Sequence, residues 1–158
     1  MFNGDHNGEL NLHYNFMRQA LQLAEKAFDE GEVPVGAIVV HEGRIVGKGY
    51  NQVEMLNDPT AHAEMIAISS ACSTLQNKYL QECTLYVTLE PCPMCSGAIV
   101  WSKIKRVVFG ALDEKAGSCG STFNIASNKI LNHQAEIIHG VMEHYAEFLL
   151  KKFFSDKR

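Results

Sequence analysis

Two short segments hold the residues best suited to chemistry: His62-Ala63-Glu64 and Pro91-Cys92-Pro93-Met94-Cys95. One imidazole and two thiolates make three protein ligands for zinc. A set of three leaves the fourth tetrahedral position to water, which is the arrangement of a catalytic rather than a structural site. Zinc held this way lowers the pKa of that water toward ~7, so that hydroxide forms near neutral pH. Glu64, two residues from the histidine, can then take the water proton and pass protons to a ring nitrogen and a departing amine. Hydrolytic deamination of an aminated heteroaromatic ring uses all four residues.

That chemistry sets conditions on the elements carrying it. Cysteines at a helix start are prepared for ligation, because the positive end of the helix dipole favours thiolate. Their separation of three puts both sulfurs on one helical face. His62 and Glu64, two apart, point to different sides of a regular helix. They converge if His62 lies in an incompletely helical first turn, which Asp58-Pro59-Thr60 immediately upstream could supply. A closed structural site would need a fourth ligand, and His41, Cys72, Cys83, Cys119 and His133 are candidates that spacing leaves open. Otherwise Cys72 and Cys83 read as buried apolar positions. The six histidines other than His62 read as surface or local capping residues.

The surrounding pattern alternates helices and strands. Apolar residues from Tyr14 to Asp29 share one helical face, and Gly31 ends that helix. Val33 to Val40 is a β-branched run suited to a strand covered on both sides, turned at His41–Arg44 into a hairpin with Ile45 to Tyr50. Asp58-Pro59-Thr60 opens a helix running toward Asn77. Strands follow at Thr84–Leu89, Arg106–Phe109 and Glu136–His139, with a helix from Pro93 to Trp101 between the first two. Val141, Met142, Tyr145, Phe148, Leu149 and Phe153 mark the inner face of a final amphipathic helix. The expected fold is an α/β layer structure with a mixed sheet.

The 158 residues suit one domain. A composition 46% hydrophobic and 20% charged is that of an ordinary globular chain and argues against disorder. No apolar run approaches the ~20 residues of a membrane helix. The polar stretch Met1–Gly8 lacks the pattern of a signal peptide, and residues 1–10 are expected to be a flexible end. Five cysteines, an odd number, suit a reducing cytoplasm. The net charge of −4 gives no global attraction to nucleic acid, but it is uneven. Residues 1–99 hold 5 basic against 12 acidic residues, and residues 100–158 hold 9 against 6. Any surface facing a polyanion therefore belongs to the C-terminal third.

His-x-Glu followed by Pro-Cys-x-x-Cys is a known signature of zinc nucleobase deaminases. The flanking segments narrow the match. Asp58 to Glu64, Thr84 to Cys92, Arg106 to Ala111, Leu131-Asn132-His133 and Phe153-Phe154 closely resemble the bacterial tRNA-specific adenosine deaminases of the cytidine/deoxycytidylate deaminase superfamily. The likeness spans about residues 12–158. It implies a cytidine-deaminase-like three-layer α/β/α fold with a five-stranded mixed sheet, a homodimer, and conversion of adenosine to inosine at the wobble position of a tRNA anticodon. By this resemblance His62, Cys92 and Cys95 hold one Zn2+ per chain and Glu64 shuttles protons. Asn51 and the amide of Ala61 meet the flipped base. Asp113 and Lys115 face the anticodon-loop backbone, and Phe154, Lys157 and Arg158 form the RNA-contacting end.

The partner implied is a tRNA anticodon stem–loop, with neither membrane nor DNA expected. Two positions depart from the pattern: Ala116 stands where threonine is usual, and Trp101 where histidine is common. Guanine deaminases of the same fold tend to carry that Trp together with Pro-Cys-Pro-Met-Cys. A deaminase of free guanine or cytosine is therefore one alternative, and a non-catalytic zinc-stabilised RNA-binding module is another.

Overall fold

The longest element, α1 (His6–Asp29), starts well before the apolar face that marks it in the sequence. The structure, a computed structural model, describes residues 6–157. Residues 6–10, expected within a flexible end, are the first helical residues, and Arg158 lies outside the described residues. Residues 6–12 are all exposed, so no apolar periodicity announces them. The helix ends as anticipated: Gly31 takes φ +80 and the Glu32 N–H closes back on the Ala27 carbonyl at 2.9 Å.

The other elements are β1 (Gly36–His41), β2 (Arg44–Tyr50), α2 (Val53–Leu56), α3 (Ala63–Leu75), β3 (Cys83–Leu89), α4 (Pro93–Ser102), β4 (Arg106–Ala111), β5 (Glu136–Ile138) and α5 (Glu143–Asp156). The sheet order is β2-β1-β3-β4-β5. β1 pairs antiparallel with both β2 and β3, whereas β3–β4 and β4–β5 are parallel. Glu42 and Gly43 both have positive φ, the conformation a two-residue hairpin turn requires. β1 begins at Gly36 rather than Val33: Pro34 has no N–H to give a ladder, and Val33 and Val35 line a cavity.

Strand residues alternate between two cores. Val39, Leu85, Val87, Val107 and Phe109 pack under Ala63, Ala67 and Ala71 of α3 and Ile99 of α4. Ile38, Val40, Tyr86 and Val108 pack under Met17, Ala20 and Leu21 of α1 and Ala146 and Leu149 of α5. This is the three-layer α/β/α arrangement with five mixed strands that the sequence implies. α5 is turned from its expected setting. Met142 sits in a left-handed cap ahead of it, and Ala146, Leu149 and Phe153 face inward, leaving Tyr145 and Phe148 exposed.

Close approach fixes α3. A Cβ at Gly49 would lie 2.3 Å from the Ala63 carbonyl oxygen, and one at Gly47 would lie 2.3 Å from that of Ala67. The alanine face of α3 and these glycines therefore bring helix and strand together backbone to backbone, one residue from His62.

His13 corrects a sequence expectation, since it is buried rather than superficial. Its Nδ1 shares a 2.8 Å hydrogen bond with the Tyr86 hydroxyl, and its Nε2 is buried with no partner among the described residues. Burial, reinforced by the Arg106 cation, holds the His13 pKa below its ordinary value, against the pull of Glu9 and Glu136. The fold thus favours the neutral ring, while the unfolded chain takes up the proton near ~6.5. This contribution to stability is complete above that pH and is lost as the pH falls toward the depressed folded value. In urea unfolding at pH ~7.5 and ~5.5, the wild type should lose more stability on acidification than His13→Gln. Equal losses would place the acid sensitivity in other groups.

Candidate active site

Two helix N-termini meet beyond the carboxyl ends of β2 and β3. His62 is the N-cap of α3, with extended backbone at φ −75 and ψ 151, and Glu64 lies in the first turn. The helix begins at Ala63, not at Asp58; Asp58-Pro59-Thr60 forms the turn ahead of it, where the Ala61 N–H closes on the Asp58 carbonyl at 3.1 Å. This non-helical placement lets His62 and Glu64 face the same point. Cys92 is the N-cap of α4 with extended φ −74 and ψ 174, and Cys95 follows in its first turn.

The His62 Nδ1 lies 3.6 Å from the sulfurs of both Cys92 and Cys95. All three donor atoms fall within 4.8 Å of one another. Ligand lengths of ~2.3 Å to sulfur and ~2.0 Å to nitrogen put tetrahedral donors about 3.6 Å apart, so the trio fits zinc. None of the five candidate fourth ligands joins it among the described residues. Cys119 pairs with the Ser96 hydroxyl at 3.6 Å, Cys83 with His41 at 3.7 Å, and His133 with the Ile104 carbonyl at 2.6 Å.

Electrostatics separate the roles. A hydrogen bond from Cys95, helped by one to His62, draws the Cys92 thiol down to about 4 despite burial. The same bond, with burial, pushes the Cys95 thiol up. The hydrogen bond to Cys92 raises the His62 pKa. Binding a metal here therefore displaces a proton. Glu64 is buried, and desolvation lifts its carboxyl to about 7; its Oε2 sits 3.5 Å from the Cys95 sulfur. A carboxyl poised near neutrality can both accept and return a proton.

A cavity of about 450 Å³ opens onto His62, Glu64 and Cys92. Cys95 lies fully buried behind them. Asn51 lines the cavity, its Oδ1 taking the Ala63 N–H at 2.8 Å and so bracing the N-terminus of α3. Asp113 lines the opposite wall, where its carboxylate accepts the N–H groups of Lys115 and Ala116 at 3.0 and 3.2 Å. Lys115 is exposed on that loop. Lys157 reaches the cavity with its ammonium 4.8 Å from the Phe153 ring, and Phe154 projects outward, about half exposed. Ala61 is buried outside the cavity lining, and its amide is already engaged by Asp58.

Two further buried glutamates line the cavity, and the sequence marks them only faintly. Glu32 is 1% exposed and accepts the Glu54 and Met55 N–H groups at 2.8 and 3.0 Å, which holds α2 in place. Glu90, 2% exposed, supports the wall carrying Asp113. Each flanks a buried segment, and a charged residue in that position is the one hint available.

The model of the cytidine and deoxycytidylate deaminase zinc-binding region matches residues 10–111. The chain belongs to this deaminase family. It is 53% identical over 143 residues to the tRNA-specific adenosine deaminase of Aquifex aeolicus, covering 90% of this chain and 94% of that protein. A solved tRNA deaminase studied for A-to-I editing at the wobble position superposes with a TM-score of 0.83 at 39% identity, over 86% of this chain and 99% of that one. The guanine deaminase of Bacillus subtilis reaches a TM-score of 0.61 at 34% identity, over 91% and 96%. Relatives of this closeness set the deaminase among the tRNA-specific adenosine deaminases.

Metal analysis of the purified deaminase tests the donor assignment. Cys95→Ala should lose most of its zinc, whereas Cys83→Ala should retain a wild-type amount. Full zinc retention in Cys95→Ala would remove Cys95 from the ligand set.

Proposed function

We propose that this deaminase converts adenosine to inosine at the wobble position of a tRNA anticodon. The observation carrying the reading is the buried Glu64 beside an open trio of metal donors at the floor of the cavity. The greater sequence likeness to tRNA-specific adenosine deaminases, 53% identity against 34% for the guanine deaminase of Bacillus subtilis, favours an RNA substrate.

His62, Cys92 and Cys95 hold zinc, which when bound supplies a Lewis acid that lowers the pKa of water toward ~7. The adenosine enters flipped out of its stack. Asn51 has its Oδ1 committed to Ala63, so its amide NH2 is the end left to donate to the purine ring. Glu64 takes a proton from the attacking water and delivers it to the ring nitrogen beside the amine-bearing carbon. Glu64 then carries the second water proton to the amine, the carbon–nitrogen bond breaks, and ammonia leaves a ring carbonyl behind. Lys115 and Lys157 offer cations to the phosphate backbone, and Phe154 offers an exposed ring on which a base can stack. Arg158 follows Lys157 in the sequence and would add to the same basic end.

The chain acts as a homodimer. Trp101, 79% exposed, adjoins Tyr79 and Leu131 on an apolar surface away from the cavity, and that surface is the contact assigned to the second copy. Among the described residues no helix is long and apolar enough to cross a membrane. None of the five cysteines is paired in a disulfide, which suits work in a reducing cytoplasm.

Wild type should form inosine in an anticodon stem–loop and release little product from free guanine or cytosine. Product from free bases alone would overturn the tRNA reading. Glu64→Ala should lose at least ~10²-fold in turnover while keeping its zinc. If wild type binds the stem–loop yet releases no ammonia, the protein is a binding module instead. In sedimentation, wild type should be dimeric and Trp101→Asp monomeric; a monomeric wild type rejects the dimer.

A further inference from the structure

Glu90 is a buried acid that the chemistry above leaves without a task. It follows β3 and stands two residues before Cys92. Its Oε1 accepts the Asp113 N–H at 3.1 Å and the Ser121 hydroxyl. Its Oε2 accepts the N–H groups of Cys119 and Ser121, each at 3.1 Å. No cation pairs with it in any ion pair among the described residues. All its partners are donors, so both oxygens serve as acceptors, and burial of the group is tolerable because of them.

These donors come from both ends of the loop over residues 112–122. The loop also wraps the carboxylate from outside: a Cβ on Gly117 would sit 2.4 Å from the Glu90 Cδ and 2.4 Å from the Asp113 carbonyl. The neighbouring Pro91 carbonyl takes the Ser118 N–H at 2.9 Å. The same loop forms one wall of the cavity through Asp113 and Ala116 and displays Lys115 to solvent. The wall therefore hangs from a segment that continues directly into the first cysteine ligand.

We propose that Glu90 is a positioning residue for substrate, holding the 112–122 loop at a set distance from the reaction centre so that Asp113 and Lys115 meet the RNA. It governs substrate affinity through the loop and moves no proton itself. The identity of that substrate rests on the tRNA reading above; the anchoring does not.

A glutamine at position 90 keeps one acceptor oxygen but turns an NH2 toward backbone donors, so it breaks about half the network. In the zinc-loaded full chain, Glu90→Gln should exchange the amide hydrogens of residues 113, 119 and 121 faster, with α3, α4 and zinc content unchanged. KM for the anticodon stem–loop should rise about tenfold, with kcat within about twofold of wild type. Gly117→Ala, whose Cβ would press on the Glu90 carboxyl and the Asp113 carbonyl and so displace the loop while keeping the acid, should raise KM in the same way. If Glu90→Gln does not fold, Ser121→Ala removes one of the loop's contacts, the hydroxyl to Oε1, and should show the same split in smaller measure. Unchanged loop exchange, a loss confined to kcat, or loss of zinc would each overturn the proposal. Wild-type turnover of the stem–loop judges the tRNA reading separately. Should wild type act on free bases only, the exchange result and the KM ratio on those bases still decide the role of Glu90.

Discussion

The chemistry of this protein depends on two helix N-termini being held against each other at one point. His62 caps α3 and Cys92 caps α4, and neither residue is helical itself. That small irregularity matters. A helical His62 would point away from Glu64, and a helical Cys92 would swing its sulfur along the α4 axis rather than toward the imidazole. The sheet supplies the rest, because β3 ends just before the cysteines and β1–β2 lead into the segment carrying Asn51 and the α3 turn. Asn51 joins these parts by accepting the Ala63 N–H, one of the orphan donors at the helix start.

Three buried glutamates surround the cavity, and their hydrogen-bond partners separate their uses. Glu32 and Glu90 are supplied with backbone donors on both oxygens and act as fixed points for α2 and the 112–122 loop. Hydrogen bonds to a charged acceptor contribute about 1.5–3 kcal/mol each, enough to hold irregular backbone that has no ladder of its own. Glu64 has sparser company, chiefly its own backbone and the Cys95 thiol, so burial dominates and its carboxyl rises to about 7. Similar depth yields two scaffolding acids and one that exchanges protons.

Much of this was legible in the residues. The ligands and Glu64 lie at the N-caps and first turns of their helices, so short-range spacing carries the information. The alternating strands, the hairpin turn at Glu42-Gly43 and the close of α1 at Gly31 likewise leave local marks. What the sequence hid is held by distant partners. α2 is a single turn hung from Glu32, more than twenty positions away. The burial of His13 depends on Tyr86, 73 positions along the chain. The inward face of α5 differs from the expected one for a related reason: Met142 caps the helix in a left-handed turn, and Tyr145 and Phe148 are apolar yet face solvent. Composition records apolar character but not which side of a helix a neighbouring layer will cover.

The glycines of β2 carry a consequence for the order in which the site could come apart. β2 is an edge strand, paired on one side alone, and α3 rests on it with backbone touching backbone at Gly47 and Gly49. The imidazole is thus mounted on the margin of the sheet, whereas the two cysteines follow β3, which is paired on both sides. Fraying of the margin releases His62 while Cys92 and Cys95 stay in register. Any loosening of the site would thus begin at its nitrogen donor.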